Sequence, residues 1–189
     1  MLTYGKFFKM MNSLMKRFSL LFCLSILFFA CERQYTENPD PNHTHADFAV
    51  WVDGEKVDFS GKEHMSGLED DHDHLHPYLH LHDHIDRIIH QHKPGLILRD
   101  FFDSLDFTFQ RDREWRMFVN GEEMEFDLDY VFEDMDQIFL TTSSASAQVL
   151  YELEQMTDDA CRYSQTCLWK GKPPAENCIA DPAVPCVAP

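Results

Sequence analysis

Between residues 72 and 92 the chain alternates histidine with apolar or acidic residues, and this alternation restricts its backbone more than any other feature. The run reads His72-Asp-His74-Leu-His76-Pro-Tyr-Leu-His80-Leu-His82-Asp-His84, followed by His90-Gln-His92; upstream, His43-Thr-His45 has the same spacing. Nine of the eleven histidines lie between His64 and His92, so chance scatter does not account for them. In an extended strand, residues two apart point to one face. Leu75, Leu79, Leu81 and Ile85 interleave with the histidines. The pattern predicts strands with one apolar face for a core and one face carrying imidazoles.

His80, His82 and His84 then face one way, and His90 and His92 do the same on the next strand, 86–92, which Lys93-Pro94-Gly95 ends. His43 and His45 approach from the first strand. His72, His74 and His76 lie beside Asp70, Asp71 and Asp73 and before Pro77, so that stretch reads as a looser chelating loop. Neutral imidazole is the commonest metal-binding side chain. Nitrogen ligands with carboxylates nearby suit zinc first, then copper(II) or nickel. The ten candidate metal ligands are therefore His43, His45, His72, His74, His76, His80, His82, His84, His90 and His92. Two other readings compete: a pH-responsive histidine surface on a non-catalytic interaction module, and a zinc-dependent hydrolase or oxygenase. No His-Glu-x-x-His, Gly-x-Ser-x-Gly or phosphate-binding glycine loop occurs. No catalytic residue is assigned.

The N-terminus reads as an export signal. Residues 1–17 carry Lys6, Lys9, Lys16 and Arg17 and no acid, and 18–30 (FSLLFCLSILFFA) are apolar apart from two serines, too short a run for a spanning helix. Leu27-Phe28-Phe29-Ala30-Cys31 resembles a bacterial lipobox, with Phe28 where that family prefers Leu. The resemblance implies cleavage before Cys31, its lipidation, and a membrane anchor holding the protein outside the cytoplasm. A polar, Pro-containing tether covers 31–45 (CERQYTENPDPNHTH). Loss of the signal's four positive charges takes the formal charge from −17 to −21. Such a surface repels nucleic acid and anionic membranes and attracts cations.

Cys161, Cys167, Cys178 and Cys186 all fall in a Pro-rich tail, 157–189. Their even number and an oxidising setting predict disulfides, in any of three pairings; a four-cysteine zinc site is the rival. Their spacings are wider than the two to four residues usual between paired zinc ligands.

Ala46–Val52, Asp53-Gly54 and Lys56–Phe59 form a predicted hairpin, as do Glu114–Val119, Asn120-Gly121 and Glu122–Phe126. Leu98, Phe101, Phe102 and Leu105 give a helix an apolar face. Gln137–Thr142 reads as a last strand. Ala145–Met156 reads as a helix capped by Ser143 or Ser144, with Val149, Leu150, Leu153 and Met156 as its stripe. The class is α+β in one domain, 46–156. The stretches PGLILRDFFDSLDF, MFVNGEEMEF and YVFEDMDQIFLTT resemble the small sulfur-carrier β-grasp proteins. Leu98–Leu105, Val119-Asn120-Gly121 and Glu133-Asp134-Met135-Asp136-Gln137-Ile138 stand where that family has its helix, its Val-Asn-Gly turn and its acidic turn. The resemblance implies a β-grasp-like mixed sheet with one packed helix and a His-rich insertion. It does not imply carrier chemistry: Thr142-Ser143-Ser144 follows the last strand, where carriers end in Gly-Gly.

Overall fold

The computed structural model describes residues 34–66 and 75–173. Cys31, His72, His74, Cys178 and Cys186 lie outside the described residues.

The strands form a mixed sheet. β1 (Thr44–Val52) runs through its middle and turns at Asp53-Gly54 into β2 (Glu55–Lys56). Asp53 and Gly54 both have positive φ, 54° and 82°, as a type I′ turn demands. β3 (Leu79–His80) and β4 (Ile88–Gln91) follow. β5 (Arg116–Val119) and β6 (Glu122–Met124) form the second hairpin, its turn again positive at Asn120 and Gly121. β7 is Gln137–Thr141. The order is β3-β4-β1-β7-β5-β6, with β2 on β1. β1 and β7 pair in parallel, and every other pairing is antiparallel.

Strand parity sorts the side chains into two cores. Ala46, Phe48 and Val50 of β1 join Leu79, Ile89, Met117, Ile138 and Leu140 on one face. Helix α1 (Leu98–Ser104) closes that face with Leu98, Phe101 and Phe102, all buried as their spacing predicts. Phe48 meets Phe101 edge to face at 5.1 Å. On the opposite face, Ala49, Trp51, Phe118 and Phe139 pack against α2 (Ser146–Leu153) through Val149. Asp136, in the acidic turn before β7, accepts bonds from the Tyr130 hydroxyl, the Asn120 amide and the Glu133 backbone N–H. It thereby ties that turn to the Asn-Gly hairpin. Burial and this bond push the Tyr130 hydroxyl well above its usual range.

α2 differs from expectation in two respects. Ala145, not a serine, is the N-cap of α2, and no side chain caps it; the Ser143 hydroxyl is instead bonded to Glu152 at 2.6 Å. Leu150 is exposed, and the fully buried position is Glu152, whose carboxylate also accepts the Thr141 hydroxyl at 2.7 Å. Hydrogen bonding, not apolar spacing, decides which side of α2 is buried there. The tail contributes α3 (Ala160–Tyr163), and Cys161 is disulfide-bonded to Cys167. Among the described residues, no helix is long and apolar enough to cross a membrane.

Candidate metal centre

The register of three strands gathers the histidines. His45 of β1 stands opposite His90 of β4, and His90 stands opposite His80 of β3. Directly opposed residues share a face, with Cβ atoms about 5 Å apart. His43 and His92 continue two of the columns one step along the strands, and their rings stack at 4.2 Å. His82 follows His80 by two, its ring 4.6 Å from both His80 and His90. The six imidazoles lie on the α2 and α3 side, opposite the α1 core. His45, His80, His90 and His92 are buried; His43 and His82 are half-buried.

They resolve into two groups of three, His43-His45-His90 and His80-His82-His92. In each, one nitrogen per ring lies within 4.8 Å of the other two. Three points that close, 4.8 Å apart at most, fit a circle of radius about 2.8 Å, so inward shifts below about 1 Å reach the zinc–imidazole bond length of about 2.0–2.1 Å. Each group can hold a metal ion.

Neighbours decide which nitrogen faces inward. His45 Nδ1 lies 2.8 Å from Ser164 Oγ, and that hydroxyl donates its single hydrogen to Asp134. His45 Nδ1 must then be the N–H donor, which leaves Nε2 with the lone pair in the neutral ring. Asp134 also accepts the backbone N–H of His45 at 3.0 Å, so ring and strand are oriented by one carboxylate. His80 Nδ1 donates to the carbonyl of His76 at 3.2 Å, again leaving Nε2 as the lone-pair nitrogen. Its Nε2 is 3.1 Å from His82 Nε2. Tetrahedral zinc separates two ligand nitrogens by about 3.4 Å.

α3 lies across part of this array. Tyr163 contacts the rings of His45 at 5.6 Å and His90 at 5.3 Å. Buried Asp47 holds the start of α3: its carboxylate accepts the Thr157 hydroxyl and the Asp159 and Ala160 N–H groups, the last at 2.8 Å. Burial pushes the Asp47 carboxyl above its usual range.

Two expected ligands stand apart. After Leu81 the chain turns through Asp83 and His84, both at positive φ, which ends the alternation and takes His84 off the shared face. Its Nδ1 donates to the Ser60 carbonyl at 2.8 Å. His76 belongs to neither group. Its Nδ1 accepts the Tyr78 N–H at 3.2 Å, its carbonyl orients His80, and burial holds its imidazole below the usual range. Ser164, Asp134, Tyr163 and Asp47 carry no local sequence signal for these roles, because each acts across more than 70 residues of chain. Compared with protein-family models, curated proteins and solved structures, the chain matches none.

Proposed function

We propose that this chain is an exported lipoprotein, anchored through Cys31 to the outer face of a bacterial membrane. There it binds a divalent transition metal, zinc first and copper or nickel next, to buffer, sense or deliver it. The observation that carries the reading is the convergence of ring nitrogens into two groups of three. A pH-sensitive interaction patch would instead spread its histidines over an open face, and four of these six rings are buried. All-nitrogen ligation favours the named metals over calcium or magnesium, which take oxygen ligands. The acidic surface concentrates cations around the site. The Cys161–Cys167 bridge suits an oxidising compartment. For the fold, we infer a β-grasp type of sheet, supported by the parallel pairing of first and last strands at its centre, with hairpin β5–β6 beyond β7.

Ligating imidazoles must be neutral, so protons compete with the metal. Calorimetry on tag-free protein with Zn²⁺ should show affinity falling at least tenfold between about pH 7.5 and pH 5.5. Absence of saturable binding by Zn²⁺, Cu²⁺ and Ni²⁺, or equal affinity at both pH values, refutes the reading.

A further inference from the structure

We infer that the two histidine groups hold two ions side by side, each with three protein nitrogens and one open position. The inference rests on the metal-binding reading and specifies how many ions the site takes. The groups share no residue, so neither takes a ligand from the other. Each contains a histidine whose Nδ1 is already committed as a donor, His45 to Ser164 and His80 to the His76 carbonyl, so each has an Nε2 set to ligate before an ion arrives. In the second group two Nε2 atoms already stand at 3.1 Å, close to the separation that one tetrahedral ion imposes.

The groups are also immediate neighbours. His43 of the first stacks on His92 of the second at 4.2 Å, and His90 of the first meets His82 of the second at 4.6 Å. Side chains in contact across that border place the two ions in one compartment. A site with three protein ligands leaves a position for water or a small anion. Two such positions side by side suit a bridging hydroxide or a similar small anion, which would also offset part of the repulsion between dications. Asp134 and Asp47 supply negative charge behind the first group: Asp134 binds the His45 N–H, and Asp47 lies two residues along β1. No carboxylate belongs to either group. Repulsion through the protein should leave the second ion about tenfold or more weaker than the first.

The test counts ions. Tag-free full-length chain carrying His72→Ala and His74→Ala, which removes those two histidines as competing ligands, is loaded with Zn²⁺ alone, and separately with Cu²⁺ alone. It is dialysed and assayed by elemental analysis and stepwise calorimetry. Two ions per chain are expected, with two unequal affinities. His43→Ala with His45→Ala should leave one ion, and so should His80→Ala with His82→Ala; all four together should leave none. Circular dichroism and a urea midpoint confirm that each variant folds. If a double variant does not fold, the single half-buried changes His43→Gln and His82→Gln are counted in its place, each expected to weaken one of the two binding steps. Saturation at one ion, or loss of all binding on changing either pair alone in a folded chain, overturns the paired centre and leaves metal binding standing. No bound ion at all overturns both.

Discussion

Asp47→Ala should show how strongly the cap over the histidines depends on one carboxylate. In the native chain that carboxylate accepts three donors: the Thr157 hydroxyl, the Asp159 N–H at 3.0 Å and the Ala160 N–H at 2.8 Å. Ala160 is buried, so its N–H loses its partner with little access to water. An unsatisfied buried donor costs about 1–3 kcal/mol, and bonds to a charged acceptor contribute about 1.5–3 kcal/mol each. Against this, removing a carboxylate that burial already disfavours returns part of the loss. The expected net loss is about 2–3 kcal/mol, read as a fall of roughly 5–10 °C in melting temperature for a chain of this size. Asp47→Asn keeps one accepting oxygen and should cost about half as much. The sign of the pH dependence is fixed by the raised carboxyl. The folded state binds a proton more tightly than the unfolded one, so this group's contribution declines as pH rises from 3.8 through the folded value. The deficit of Asp47→Asn relative to wild type should therefore widen from pH 7 toward pH 4. Urea unfolding of metal-free protein, followed by tryptophan fluorescence, measures both. A loss below about 1 kcal/mol for Asp47→Ala, or a deficit that narrows on acidification, refutes the account.

Replacing Cys161 and Cys167 by Ser opens the short loop that carries Tyr163 and Ser164. It should cost about 2 kcal/mol in chemical denaturation and weaken Zn²⁺ binding by about tenfold, because Ser164 no longer orients His45; unchanged affinity in calorimetry would detach the loop from the site. Gly121→Ala, at φ 81° with open space around its would-be Cβ, should cost about 1–2 kcal/mol from the backbone alone. A loss near zero in the same denaturation experiment would count against the type I′ geometry.

Both hairpins were legible because Asp-Gly and Asn-Gly permit positive φ at two successive positions. α1 was legible because Leu98, Phe101, Phe102 and Leu105 form one stripe, and all four are buried. The histidine face was legible for the same periodic reason: His80, His90 and His45 line up because Leu79, Ile89 and Ala46 must enter the core. His84 escaped because a spacing of two does not say where a strand stops: β3 ends at His80, and a left-handed pair at 83 and 84 then turns the chain away. The exposure of Leu150 and burial of Glu152 followed from two hydroxyls, on Thr141 and Ser143, whose bonds to the Glu152 carboxylate no apolar periodicity encodes. The residues that orient and cover the imidazoles come from the acidic turn and the tail, joined to them only by tertiary folding.

The position of β3 gives the two histidine groups different characters. β3 is two residues long and forms the rim of the sheet, while β1 lies at the centre, paired on both sides. Short rims fray at little cost, whereas central strands open only with the whole fold. For ions held as proposed, His45 would be the keeper, set on the central strand and braced by Ser164 and Asp134, with His43 immediately before that strand. His80 on that rim, and His82 just beyond it, would be the lenders, able to swing away while the body of the molecule stays intact. Cargo exchanged with the surroundings would pass first through the rim, and the inner seat would exchange its occupant more slowly.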